Sequence, residues 1–385
     1  MTREPAPAPS LDALSRRALL TGAGVAAVVA AGASGMLATG RGAGSERSPE
    51  GASVDARGTH QAGIARPEVP QRHCLLSVVD VDTTALRSTL RALGGAIAAV
   101  TAHPGLADLT PDGPGDLTVT VGLGARALAA TAHPELADAV AFPSFSGDEA
   151  LPADRLGGDL LLSVNASDAT VLEPVASWLL EHVAGARVTW SQFGYRGDAV
   201  DGVARNPLGY HDGIIVPRGE DELRENVWIA EGPLAGGSIC AVRRFLIDVA
   251  AFRALAPDAR DAVIGRAQRD GSPLSGGGRD DEVDLSAKAP DGTLLVPLRA
   301  HARAAHPSFT GSRLMLRRSY SFHESADELG HVFISFQRDA ETFSRTQLRL
   351  DESDALSGFI TPTATAAFAI LPGFASGEEL GASLF

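Results

Sequence analysis

The sequence predicts an α+β fold made of two ferredoxin-like halves with antiparallel sheets. Three observations predict it. Between His73 and Phe193, short apolar strands and amphipathic segments run in the order β-α-β-(α)-β-α-β. Between Gly236 and Leu371 a similar order of elements returns, with no visible repeat of the sequence itself. The stretch from about Val69 to Phe385 is long enough for one large domain or two modest ones.

His73 to Val81 (HCLLSVVDV) is a short apolar run of strand character. Thr83 to Thr101 carries Leu86, Leu90, Leu93, Ile97 and Val100 on one helical face. Asp116 to Leu123 alternates apolar and polar residues, as a half-buried strand does. Ala125 to Ala139 is rich in alanine and helical, with Pro134 interrupting it. Asp159 to Asn165 is a third strand. Asp168 to Val183 is a helix whose opening Asp and Thr are good capping residues. Arg187 to Phe193 is the fourth strand.

The second half opens near Arg205. Gly236 to Val249 reads as a strand that meets a helical turn around Phe252 to Leu255. Asp258 to Arg269 is a helix. Gly271 to Gly292 is a long loop rich in Gly, Asp and Ser, and loops of that size are either functional or disordered. Gly330 to Gln337 is a strand, Glu341 to Asp351 a helix and Thr365 to Leu371 a final strand.

The N-terminus lies outside this fold. Arg16 and Arg17 precede a Gly/Ala-rich apolar run that ends near Ala33, the pattern of a twin-arginine export signal over residues 1–33. The run is shorter than the roughly 20 residues that a spanning helix needs, which disfavours a membrane anchor. Ala31-Gly32-Ala33 offers a small-residue cleavage site. The twin-arginine translocase moves folded proteins, which fits a cofactor inserted before export to a periplasmic or extracellular location. Residues 34–66 are poor in large apolar side chains and read as a disordered linker. The expected division is then residues 67–204 for the first half and 205–385 for the second.

The formal charge is −14, and residues 1–33 contribute three arginines against one aspartate and one glutamate, so the remainder is near −15. An acidic surface argues against nucleic acid, which needs clustered Lys and Arg, and against anionic lipid. Cys74 and Cys240 both sit in apolar, strand-like runs. Buried free thiols are the expected state, with a disulfide the alternative for an exported protein. No Cys/His spacing for zinc is present in the sequence.

Three clusters carry chemistry-bearing residues. Arg205-Asn206-Pro207-Leu208-Gly209-Tyr210-His211-Asp212-Gly213 reads by itself as a tight turn. His301-Ala302-Arg303-Ala304-Ala305-His306-Pro307 and Leu314-Met315-Leu316-Arg317-Arg318-Ser319-Tyr320-Ser321 read singly as ordinary structural stretches. Taken in order, together with Gly236-Gly237-Ser238 leading to Val242-Arg243-Arg244, these elements resemble the dye-decolorizing peroxidase family. Ile264-Gly265-Arg266, Asp270 to Leu274 and Glu352 to Leu356 add to the resemblance, which covers roughly Cys74 to Gly373. With the export signal, the pattern is most similar to the twin-arginine-exported, EfeB-like subgroup.

The resemblance implies two ferredoxin-like halves forming a dimeric α+β barrel-type haem domain, with the site in the C-terminal half. It implies haem b (iron protoporphyrin IX), with His301 as the axial ligand of the iron and Asp354 as partner of the other ring nitrogen. It implies Asp212 as the acid/base group for peroxide, Arg317 beside it stabilising negative charge, and Arg244 as a contact for the haem carboxylates. His306 competes with His301, which is preferred because it starts the matched motif. Arg318 competes with Arg317, which is preferred because it follows Leu316 directly. Position 210 is Tyr where the family commonly has Phe, and position 211 is His. Trp178, Trp190 and Trp228 are candidate electron relays or simply core aromatics.

The expected activity is a haem peroxidase that reduces hydrogen peroxide and oxidises a small-molecule reductant, dye-like or phenolic, in one-electron steps. A haem- or iron-handling role, as a deferrochelatase or iron-uptake component with iron-uptake partners, is the alternative. An exported binding domain without haem is a third reading. A homo-oligomer is compatible with each.

Overall fold

In the computed structural model, residues 53–200, 202–325 and 328–385 are described. The expected signal over residues 1–33 lies outside them, as does the linker up to residue 52.

The first half follows the expected order closely. β1 (His73–Asp80) leads into α1 (Leu86–Thr101), then β2 (Thr118–Leu123) and the short α2 (Ala125–Ala129). Pro134 does interrupt that region: a separate 3-10 turn spans Pro134–Val140. β3 (Leu160–Ala166), α3 (Leu172–Leu180) and β4 (Arg187–Tyr195) complete the half. Asp168 caps a 3-10 turn ahead of α3 by accepting from Thr170 N, so the capping residues act as their chemistry suggests.

The second half opens with a miniature hairpin, β5 (Ala204–Arg205) and β6 (His211–Asp212), followed by α4 (Gly219–Asn226). β7 (Ser238–Ile247), α5 (Val249–Ala254) and α6 (Pro257–Ile264) come next. α6 stops short of the expected Arg269 because Gly265 adopts a left-handed φ of 91°. Two one-turn helices, α7 (His301–Ala304) and α8 (Pro307–Thr310), precede β8 (Leu316–Arg317), β9 (Tyr320–Ser325) and β10 (Glu328–Gln337). α9 (Ala340–Ser353) and β11 (Ile360–Ile370) end the fold. β9 is the strand that the second half lacked in the sequence reading.

Every strand pairing between these elements is antiparallel. Within the first half the order is β4-β1-β3-β2, and within the second it is β11-β7-β10-β9. Both are the 4-1-3-2 order of a ferredoxin-like sheet. Because β7 pairs with both β11 and β10, the eight strands close into a barrel, and β8 extends the edge of β10 beside β9.

Two thin seams join the halves. β2 meets β11 at Leu123–Ala369 and Gly122–Ile370, and β4 meets β9 at Tyr195–Ser321. A glycine stands at each. A Cβ on Gly122 would lie 2.8 Å from Ile370 Cδ1, and one on Gly194 would lie 2.6 Å from Tyr320 Cβ.

The segment just before β1 is not a tether from Ser53 onward. The Gln61 side-chain amide donates to Val121 O at 2.8 Å and Leu371 O at 2.9 Å, and accepts from Val121 N at 2.9 Å. It therefore stitches the β2–β11 seam. Ala62 and Ile64 are buried, and Arg318 donates to the carbonyls of Ile64 and Pro67. Composition misjudged this stretch because its order comes from partners distant in sequence.

The alternation of each strand splits the core. Cys74, Leu76, Val78, Val242, Ile334, Phe336 and Phe368 fill the barrel interior. Cys74 and Cys240 are free buried thiols there, and burial pushes the Cys74 thiol up to about 12. The outer face of the first half is covered by α1 and α3, whose Leu90, Leu93, Ile97, Val175 and Leu179 pack on Val79, Val121 and Leu162. Each such buried side chain contributes about 1.5–3 kcal/mol. The matching outer face of the second half is covered differently, and that difference makes the site.

Candidate functional site

On the outer face of the second half, Phe245 and Ile247 of β7 and His331 and Phe333 of β10 border a cavity of about 300 Å³. The volume lies at the small end of the usual range for ligand sites. Where α1 fills the equivalent space in the first half, here short helices and loops stand around a void. The hairpin β5–β6, α7, the C-terminal part of α9 and Glu282 and Val283 of the long loop form its walls.

That long loop is held in place rather than loose. Arg266, just beyond α6, donates to Gly271 O (2.9 Å), Arg279 O (2.8 Å) and Asp281 O (2.9 Å). Gly265 permits the turn that aims it. A Cβ on Gly265 would also crowd Ala302, Ala300 and Val296 at 3.1–3.3 Å, against α7 and the residues leading into it.

His301 is the first residue of α7 and lines the cavity. Its Nδ1 lies 2.6 Å from Asp354 Oδ2, on the buried Asp354 carboxylate. Asp354 is fixed in turn: it ends α9, its Oδ1 accepts from Leu356 N, and the next residue donates its N–H to Arg299 O. Burial works against a charged His301 ring, but the charge and hydrogen bond of Asp354 outweigh it and hold the ring above its ordinary value. With Nδ1–H donated to Asp354, Nε2 carries a lone pair, the form of an imidazole that ligates metal.

A second cluster borders the same cavity. In the hairpin, Asn206 Oδ1 accepts from Leu208 N and Tyr210 N, and Gly209 turns with φ 85°. The turn reading of this segment is thus correct, and the turn is what presents Asp212. Asp212 Oδ1 lies 3.8 Å from Arg317 Nε, and its Oδ2 lies 3.3 Å from His331 Nε2. Arg317 also donates to Ile215 O at 3.1 Å, which fixes its plane. Burial opposes charge on Asp212. The hydrogen bond and charge of His331, with the charges of Arg317 and Arg196, override it and hold the carboxyl well below the usual carboxylate range.

Not every expected residue reaches the cavity. Arg244 points into the barrel, where its guanidinium meets Gln192 Oε1 (2.6 Å), Thr363 Oγ1 (2.8 Å) and Glu324 (3.3 Å) and lies over Phe322. It is absent from the cavity lining, whose guanidinium groups belong to Arg266, Arg313 and Arg317. Strand alternation is the reason: on β7 the odd-numbered Phe245 and Ile247 face the cavity, and an even-numbered residue faces inward. His306 borders the cavity, but its Nδ1 accepts from Ser308 N and caps α8. Arg318 is spent on the N-terminal segment, as described above. Trp178, Trp190 and Trp228 do not line the cavity.

His331 is the residue that sequence reasoning missed. It sits in a run that reads only as a strand, and nothing in its spacing links it to a turn more than a hundred residues earlier. The one available signal is a histidine in phase with the outward-facing Phe333.

Comparison with known proteins identifies the family to which this fold belongs. Residues 61–196 match the Dyp-type peroxidase N-terminal family and residues 203–375 the Dyp-type peroxidase C-terminal family. The dye-decolorizing peroxidase of Thermobifida fusca (strain YX) is 34% identical over 293 residues, 70% of this chain and 68% of that protein. A deferrochelatase of Shigella sonnei (strain Ss046) is 28% identical over 96% of each chain. Among solved structures, an oxyferrous complex of DtpA from Streptomyces lividans superposes with a TM-score of 0.81 at 32% identity, covering 87% of this chain and 98% of that one. The DyP-type peroxidase from Cellulomonas bogoriensis superposes with a TM-score of 0.78 at 31% identity, covering 88% and 99%. This chain is an enzyme of the Dyp-type peroxidase family.

Proposed function

We propose that this chain is a haem b peroxidase that reduces hydrogen peroxide and oxidises dye-like or phenolic reductants by single electrons. One observation carries the reading: a carboxylate-oriented imidazole, His301–Asp354, borders the same cavity as a carboxylate, Asp212, that is flanked by Arg317 and His331. The residues fit the cofactor. His301 engages Asp354 through Nδ1, which leaves Nε2 outside that pair. The lining is otherwise rich in Ile, Leu and Phe, which suits a flat apolar ring, and Arg313 at its border is a cation that the ring's carboxylates would meet, while Arg266 stays committed to the long loop. When bound there, haem supplies the electrons that reduce peroxide.

The rest of the chemistry belongs to the side chains. Asp212, ionised across the working pH range, takes a proton from peroxide and returns it to the oxygen that leaves as water. A positioned acid/base of this kind contributes about 10²–10⁴-fold. Arg317 cannot titrate usefully but stabilises negative charge as the O–O bond breaks. His331 donates to Asp212 and orients it. The test is an optical spectrum of the haem-loaded protein. A Soret band that shifts on adding one equivalent of peroxide supports the reading, and a band indifferent to peroxide refutes it.

A second reading has support in the full-length similarity to deferrochelatases. Slow appearance of free porphyrin from the loaded protein, with iron released, favours it. We also propose export by the twin-arginine route to a periplasmic or extracellular location. Replacing Arg16 and Arg17 by lysine then strands the folded protein in the cytoplasm, whereas unchanged secretion excludes that route.

A further inference from the structure

Tyr210 is the only tyrosine or tryptophan among the described residues lining the cavity. It is buried at 3% exposure, and its hydroxyl donates to Asp261 Oδ1 at 2.5 Å. Phe252 packs edge-on against its ring at 6.1 Å, and Phe359 backs Phe252 at 5.3 Å, so the phenol is held in one orientation. Asp261 belongs to α6, is only partly buried and also accepts from Gln268 N at 3.0 Å. Residues 256–259, just before it along the chain, are exposed. One residue pair thus connects the cavity to the surface.

We propose that Tyr210 and Asp261 form a proton-coupled electron relay from the cavity to the surface of α6, which serves one-electron organic reductants too large to enter. The proposal rests on the peroxidase reading given above. Peroxide reduction leaves an oxidising equivalent in the cavity. Tyr210 surrenders one electron to it, and the phenolic proton moves to Asp261 Oδ1, leaving a neutral phenoxyl radical and a neutral carboxylic acid. A reductant at α6 then returns one electron to the ring while Asp261 returns the proton, and both residues are restored.

The geometry answers the main obstacle to oxidising a buried phenol. Loss of an electron alone would leave a cation in an apolar site, which is costly. A carboxylate already hydrogen-bonded to the hydroxyl takes the proton with no rearrangement. Burial, reinforced by Asp261, holds the phenol well above its ordinary pKa, so Tyr210 remains a protonated donor until it is oxidised. The other two tyrosines lack this arrangement: Tyr195 lies exposed on β4 and Tyr320 is packed in the barrel core.

The experiment is rapid-freeze EPR of the haem-loaded protein after one equivalent of peroxide, without reductant, with the optical spectrum recorded in parallel. A tyrosyl signal is expected in the parent and absent in Tyr210→Phe, which keeps the ring and removes only the hydroxyl. Asp261→Asn still accepts a hydrogen bond but takes no proton, and the radical yield falls at least about tenfold, a modest share of the usual acid/base contribution. A tyrosyl signal of parental size in Tyr210→Phe, or none in the parent despite a normal optical response, overturns the relay and leaves the peroxidase reading intact. No optical response to peroxide in the parent overturns both.

Discussion

Asp354→Asn tests the proposed cofactor ligand without touching it. The substitution keeps the volume and replaces one carboxylate oxygen with NH₂. Both oxygens of Asp354 are in use: Oδ2 faces His301 Nδ1 at 2.6 Å, and Oδ1 accepts from Leu356 N at 2.9 Å. Each faces an N–H donor, so an amide satisfies only one of them. If its oxygen stays on Leu356, its NH₂ meets His301 and selects the tautomer with a bare Nδ1 and a protonated Nε2. That tautomer has no lone pair for iron. If the amide flips, His301 keeps its tautomer, but the charge-assisted bond becomes a neutral one and Leu356 N–H loses its cap, at a cost of about 1 kcal/mol. Both routes weaken haem binding. Loss of an orienting partner of a metal-bound histidine typically costs about 10–100-fold, or about 1.4–2.7 kcal/mol. Transfer of haem to an excess of apomyoglobin, followed at the Soret band, measures the loss. Denaturant unfolding of the haem-free protein separates the routes: both lose the charge-assisted bond, but only the flipped amide also loses the Leu356 cap and so destabilises further. A variant that retains haem as tightly as the parent, with an unchanged ferric–ferrous potential, refutes the reasoning.

Three further outcomes follow from the same geometry. His301→Ala yields a folded protein with little tightly held haem, while His306→Ala retains haem and weakens α8 alone; the reverse pattern in a haem titration moves the ligand to His306. Asp212→Asn slows the optical response to peroxide by roughly 10²–10⁴ and Arg317→Leu by about 10²–10³, with the double variant far from additive because both act on one bond-breaking step; stopped-flow rates equal to the parent in both single variants sink the assignment. His331→Leu removes the donor that lowers the Asp212 pKa, so the carboxyl rises toward or above the ordinary value of about 3.9. The parent then keeps its peroxide response as pH falls through about 4, and the variant loses it at a higher pH. The same depression stabilises the fold above about pH 4, a contribution lost as pH falls further; identical acid limbs in parent and variant show that His331 has no hold on Asp212.

Some of this molecule was legible because its determinants are local. The spacing of Leu86, Leu90, Leu93, Ile97 and Val100 predicts α1, and all five are buried against the sheet. The hairpin chemistry at Asn206–Gly213 predicts the turn that presents Asp212. The His301–Asp354 pair is not local: only the family resemblance suggested it, and the fold brings the two to 2.6 Å. The tertiary structure decided what depends on pairing across the chain. Residues 53–66 looked too polar and small to order themselves, and only the β2–β11 seam gives Gln61 its three hydrogen bonds, to Val121 and Leu371. Arg243 pairs with Asp148 at 2.7 Å while its neighbour Arg244 meets Gln192, because a shift of one residue along a strand exchanges its two faces. The register of β7 against β10 and β11 turns Arg244 into the barrel, away from the cavity. That register also places His331 beside Asp212. Local periodicity states that a strand exists; only barrel closure settles which side chains share a cavity.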